Sequence, residues 1–223
     1  SNAFKSKLLA ANVTQIVIVL ATQPSFYEAL LNRCLVAAEA AGIKVLIVLN
    51  KCDLPNADAT EKLAQYAQLG YQTLSLTATN HIAPLLPYLH GEQSVMVGQS
   101  GMGKSTIINA LLPSQAARTQ EISAALDSGK HTTTATRLYY LDADSSLIDS
   151  PGLQEFGLHH ISQFELEQAF IEFRPYLGHC RFNNCRHLHE PDCAILNQLN
   201  LAVSPNRLAQ YQQLTEELHR NTS

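Results

Sequence analysis

The chain has 223 residues, 46% of them hydrophobic and 15% charged, which suits one or two packed domains and excludes a largely disordered chain. Its longest apolar runs, Ile16 to Ala21 and Val45 to Leu49, fall far short of the roughly 20 residues that span a bilayer, and no signal peptide is evident. Net charge is −4, from 15 Lys+Arg against 19 Asp+Glu, which argues against binding nucleic acid by bulk electrostatics alone but leaves room for one contact surface in a larger assembly.

Ser1-Asn2-Ala3 reads as an expression-tag remnant and is set apart from the fold. From there the first 150 residues alternate short aliphatic runs with helical patterns. Strands are predicted at Gln15 to Leu20, Lys44 to Leu49, Gln72 to Leu76 and Ser94 to Val97. Helices are predicted at Phe26 to Ala41 and Asp58 to Leu69, ended by Gly42 and Gly70, with a short helix before Gly91. Strand runs apolar on both faces, separated by helices, predict a mostly parallel α/β sheet covered on both sides. Leu138 to Leu141 and Ser146 to Ile148, flanking Asp142-Ala143-Asp144, predict a hairpin. Beyond about Gly152 the strand signal stops, and helices are expected at Ser162 to Phe173 and Arg207 to His219. Ser204 and Pro205 suit the N-cap and first position of the last helix. The expected organisation is a sheet domain over residues 4–157 and a small helical domain over 158–223.

Gly98-Gln99-Ser100-Gly101-Met102-Gly103-Lys104-Ser105 fits the P-loop pattern G-x-x-x-x-G-K-[ST], after a predicted strand and before a helix that opens at Thr106. The glycines let backbone N–H groups converge on phosphate oxygens at a helix N-terminus. In that reading Lys104 reaches the β- and γ-phosphates and Ser105 ligates Mg²⁺. Downstream, Asp149-Ser150-Pro151-Gly152 ends a strand as D-x-x-G, with Asp149 placed to hold Mg²⁺ through water and the Gly152 N–H to sense the γ-phosphate. Between the two lies Gly129-Lys130-His131-Thr132-Thr133-Thr134, where Thr133 or Thr134 completes the Mg²⁺ shell, or the threonines simply begin a strand.

Asn50-Lys51-Cys52-Asp53 follows a strand as N-K-x-D. The Asp53 carboxylate accepts from guanine N1 and N2, a donor pair adenine lacks, while Asn50 braces the loop and the Lys51 stem covers the base. That pattern disfavours an ATP-dependent kinase. Ser75-Leu76-Thr77 is the candidate loop for guanine O6.

Five cysteines, three of them crowded between Cys180 and Cys193, make a poor disulfide framework in a chain without a secretion signal. Cys180, Cys185, His187 and Cys193 form a Cys₃His set, a tetrahedral structural zinc composition with no open position for substrate, and His179 and His189 compete as ligands by type. Zinc there would fix a loop that presents Arg181 and Arg186.

The motifs stand in an unusual order: N-K-x-D precedes the phosphate loop, which precedes D-x-x-G. With Ala10 to Val19, the GQSGMGKST and Gly-Lys-His-Thr-Thr-Thr strings, Asp-Ser-Pro-Gly, Glu155-Phe156-Gly157-Leu158 and the Cys/His cluster, the chain resembles the circularly permuted GTPases, specifically the ribosome small-subunit-dependent GTPase A family, from about residue 8 to 220. The resemblance implies an α/β, circularly permuted P-loop GTPase domain followed by a small helical zinc-binding domain, with an OB-fold upstream of the segment seen here. It implies a cytoplasmic enzyme that uses GTP with Mg²⁺ and one structural zinc. It also implies GTP hydrolysis stimulated by the small ribosomal subunit and its rRNA during late maturation. No membrane partner is expected, and the chain is expected to act as a monomer. Leu153 stands where Ras-type enzymes carry a water-positioning Gln, so intrinsic turnover should be slow, and His131 is the substitute within this chain. Gly101 replaces the Asn of potassium-activated relatives, so no potassium dependence is expected from this loop. The competing reading is a GTP-gated ribosome- or RNA-binding module with negligible turnover.

Overall fold

Aliphatic side chains on both faces of a strand can be buried only if both faces are covered, and the first two strands meet that condition almost throughout. In the computed structural model, which describes residues 12–24, 26–112, 119–122, 136–150, 158 and 160–220, β1 (Gln15–Ala21) is buried at every position and β2 (Lys44–Asn50) at all but the first. They pair in parallel, Ile16 beside Val45 through Ala21 beside Asn50. β3 (Gln72–Ser75) lies outside β2, and β4 (Gln93–Val97) on the other side of β1. The seven-stranded order is β3-β2-β1-β4-β7-β6-β5. β7 (Ser146–Asp149) continues the parallel set, whereas β6 (Thr136–Tyr140) and β5 (Thr119–Ile122) are antiparallel. The hairpin expected around Asp142 is therefore β6–β7. β5 was not foreseen: Thr119-Gln120-Glu121-Ile122 carries no apolar run, and it is a strand through its ladder to β6.

Two compact units result. The sheet unit takes Ala3–Glu28 and Ile43–Glu155, and contains α2 (Ala57–Gln68), α3 (Leu86–Leu89) and α4 (Lys104–Leu111). Asn56 caps α2 by accepting from the Ala59 N–H at 3.2 Å. One face of the sheet meets Ile107, Ile108 and Leu111 of α4, with Val17, Val19, Leu46, Val48 and Met96 from the strands. Each such side chain, fully buried, contributes about 1.5–3 kcal/mol relative to exposure.

The second unit joins residues 29–42 to the segment from 156 onward. This departs from the expected division at residue 157. Helix α1 (Glu28–Ala41) runs between β1 and β2 in the chain, yet Val36 belongs to the same core as Phe170, Phe173, Tyr211 and Leu214. Three polar links hold it there. Arg207 grips Glu172 through two nitrogens, at 2.6 and 3.0 Å, and donates to buried Asn32 of α1; Arg33 pairs with Glu217, and Arg174 with Glu39 at 2.7 Å. Arg207 also lies over the Phe170 ring, 4.2 Å from its centroid. α5 (Gln163–Ala169) begins with a reciprocal Ser162/Glu165 capping box and is shorter than expected. Phe170 leaves helical geometry, and a 3₁₀ turn over Ile171–Tyr176, containing Pro175, takes over. α6 (Pro205–Arg220) closes the unit. Among the described residues no helix is long and apolar enough to cross a membrane.

Candidate functional site

The nucleotide-site motifs converge at the C-terminal ends of the parallel strands, where α/β sheets hold ligands. Gly98 leaves β4 so close to β1 that a Cβ would sit 2.8 Å from the Val19 carbonyl oxygen. Gly103 has φ +90° and caps α4, and a Cβ there would run into Asn50 Nδ2. Neither position tolerates a side chain, which is why the pattern needs glycine at both ends of the loop. The Met102 side chain is buried in the sheet core, so its part in the loop falls to its backbone groups.

Asn50 is the joint of the site. Buried at the end of β2, its Nδ2 donates to the Met102 carbonyl at 3.1 Å, and its Oδ1 accepts from the Ala78 N–H at 3.0 Å. Lys51, at φ +61°, donates to the Gly101 carbonyl at 2.5 Å. The Cys52 N–H donates to the Leu76 carbonyl at 3.2 Å, and the Asp53 N–H to Thr77 Oγ1 at 3.1 Å, so the N-K-x-D loop and the Ser75-Leu76-Thr77 loop are laced together while Asp53 stays exposed. Thr22 and Ala78 were missed by sequence reasoning. Thr22 Oγ1 donates to the Lys51 carbonyl at 2.7 Å, and the Ala78 contribution is a backbone group, which no residue type signals.

Lys104 Nζ lies 2.7 Å from Asp149 Oδ1 and donates to the Ser150 carbonyl at 2.6 Å. Apart from that ion pair, Asp149 Oδ1 is buried without a hydrogen bond. A buried, under-satisfied carboxylate oxygen against Lys104, the residue that precedes the exposed Ser105, suits a hydrated Mg²⁺ with its nucleotide. Gln99 and Ser100 lie in the loop, and Thr106 lies in the first turn of a helix that opens two residues earlier than expected, at Lys104. His131, Thr133, Thr134 and Gly152 lie outside the described residues.

The second cluster is in the other unit. The ligand atoms of Cys180, Cys185, His187 and Cys193 all lie within 4.8 Å of one another. His187 Nδ1 is 3.5 Å from the sulfurs of Cys180 and Cys185 and 3.2 Å from that of Cys193. Backbone N–H groups of Ala194 and Leu196 point at the Cys180 and Cys193 sulfurs, each at 3.4 Å. Burial, then the neighbouring sulfurs, pushes the Cys185 thiol up to about 12, and burial holds the His187 imidazole below its usual value and neutral. Three sulfurs this close ionise together only around a cation, so the donor set fits zinc. His179 and His189 are outside the set. Glu190 was not foreseen. It accepts from the N–H groups of Arg186, Leu188 and His189 at 2.9–3.1 Å; burial opposes its charge, but these bonds win and pull the carboxyl down to about 2. Arg186 is exposed, while Arg181 pairs with Asp192 at 2.9 Å and lies over the Phe182 ring.

A profile of the RsgA GTPase family matches residues 1–159. The chain belongs to the RsgA GTPase family. It is a GTPase, and its fold is that of the circularly permuted members. A protein named small ribosomal subunit biogenesis GTPase RsgA, from Nitrosospira multiformis, is 53% identical over 99% of this chain and 72% of its own length. The protein of that name from Burkholderia pseudomallei is 55% identical over 97% of this chain and 71% of its own. Among solved structures, YjeQ from Thermotoga maritima superposes with a TM-score of 0.73 at 29% identity, covering 93% of this chain and 72% of that one. YloQ, described as a circularly permuted GTPase, gives 0.71 at 28%, over 94% and 69%.

Proposed function

We propose that this chain binds GTP with Mg²⁺ between its N-K-x-D and phosphate loops and hydrolyses it when engaged with the small ribosomal subunit, during late maturation of that subunit. The observation that carries the reading is the Asn50–Lys51 joint, which ties a guanine-reading motif to a phosphate loop about 50 residues downstream at 3.1 and 2.5 Å. The relatives' shared name supplies the ribosomal context.

In this reading Asp53 accepts from guanine, and the Lys51 stem packs over the base. Lys104 exchanges Asp149 and the Ser150 carbonyl for phosphate oxygens, and Ser105 and Asp149 take up the metal side. Mg²⁺, when bound, neutralises charge that develops on the phosphates. His131, one of Thr133 and Thr134, and Gly152 complete the γ-phosphate side on sequence grounds. The second unit holds one structural zinc, and its loop offers Arg181, Phe182 and Arg186 to rRNA phosphates and bases. The protein acts as a cytoplasmic monomer, which a sedimentation measurement would check.

Asp53→Asn should lower GDP affinity at least tenfold and raise affinity for xanthine nucleotide, because the donor pattern at that edge is inverted. Equal GDP affinity in variant and parent would remove the base-reading assignment. GTP turnover measured with and without purified small subunits separates a stimulated hydrolase from a nucleotide-gated binder; a rate that the subunits leave unchanged overturns the proposal.

A further inference from the structure

Zinc-bound histidines need their second ring nitrogen engaged, because that contact selects the tautomer and the ring orientation. His187 turns Nδ1 to the three sulfurs, so its Nε2 faces the other way. Among the described residues the carboxylate it meets there is Glu167, with Oε1 3.9 Å away and both side chains nearly enclosed, 4% and 16% exposed. Glu167 lies on α5, twenty residues upstream of the histidine and outside any zinc-ligand pattern. Its position is not free. Gln163, one turn earlier, donates from Nε2 to Glu167 Oε1 at 3.1 Å and to the Tyr211 hydroxyl of α6 at 2.7 Å. Tyr211 in turn donates to the Arg186 carbonyl at 2.9 Å, in the ligand loop itself. The rings of Phe173 and Tyr211 flank the His187 ring, with centroids 6.3 and 6.0 Å from it. Two helices thus aim one carboxylate at the back of one imidazole.

We propose that Glu167, steered by Gln163 and Tyr211, is the positioning residue that keeps the His187 proton on Nε2 and Nδ1 free for the metal, and so sets how tightly the Cys₃His site holds zinc. The 3.9 Å separation is longer than a hydrogen bond, so the two groups must close up when the ion is bound. The proposal rests on the zinc reading of the four ligands, and the experiment keeps the two apart.

The test uses the zinc-loaded full chain as parent, Glu167→Ala and Glu167→Gln, with zinc retention titrated against a chelator and the His187 ring nitrogens followed by ¹⁵N NMR. Parent protein should show a protonated Nε2 and a metal-bound Nδ1. Glu167→Ala should hold zinc about 10–100-fold more weakly, with its Nε2 proton exchange-broadened. Glu167→Gln should recover most of the affinity, since its amide oxygen accepts the same N–H. Zinc held as tightly by the alanine variant as by the parent, or a glutamine variant as weak as the alanine one, overturns the role. If the alanine variant fails to fold by circular dichroism, the glutamine variant with its NMR signature decides alone. Parent protein that binds no zinc sinks the metal reading itself.

Discussion

Between Gly98 and Ser105 the chain is fixed from outside: Val19 limits Gly98, Asn50 limits Gly103 and donates to the Met102 carbonyl, and Lys51 donates to that of Gly101. Between Cys180 and Cys193 the chain forms no helix or strand of its own; besides the Tyr211 and Gln212 bonds that α6 gives its carbonyls, it is organised from within, by four ligand atoms within 4.8 Å and one carboxylate gathering three N–H groups. The first loop inherits its shape from a folded sheet and can wait for its ligand; the second, in the zinc reading proposed above, needs an ion to keep its three sulfurs together. Metal removal and nucleotide-site substitution should therefore act on separate properties.

The largest effect is expected from Lys104→Ala, which removes a phosphate charge partner. Turnover should fall at least about a hundredfold, while zinc content stays at the parent level. Residual activity close to the parent's would break the phosphate-loop assignment. Next comes Cys185→Ser, which should empty the zinc site and unfold residues 178–193 with GDP affinity retained within about twofold, as metal analysis and nucleotide titration would show. Loss of GDP binding together with the metal would erase the distinction between the two loops. The smallest effect is expected from Glu190→Gln, a several-fold faster loss of zinc to a chelator. The sign is set by the folded carboxyl near 2, below its ordinary 4.5: the contribution is complete above about 4.5 and disappears only as pH falls toward 2. The difference from the parent should thus be equal at pH 6 and pH 8, and a difference that shrinks between them would show that another group is responsible.

Much of this was legible beforehand. Val45 to Leu49 announces a strand buried on both sides because nothing in it is polar, and the two GTPase strings and the Cys₃His set consist of residue types chemistry requires at fixed spacing. What escaped depends on tertiary placement. Glu190 looks like any surface acid until three N–H groups surround it, and Glu167 and Tyr211 gain meaning only where α5 and α6 meet the zinc loop. β5 has no pattern of its own and takes its conformation from a neighbour. Helix α1 misled for a related reason: its position between two strands suggested the sheet as its sole home, and the polar residues that say otherwise, Asn32 and Arg33, find their partners in Arg207 and Glu217, far along the chain.

That placement of α1 has a consequence for synthesis. The helix leaves the ribosome well before α5 and α6 exist, so a nascent chain carries Asn32, Arg33 and Val36 without the side chains that later enclose them. A fragment from residue 158 onward would lack this helix and leave part of the Phe170–Tyr211 core uncovered. The unit that carries the Cys₃His cluster is discontinuous in sequence, and translation can complete it only with its last helix.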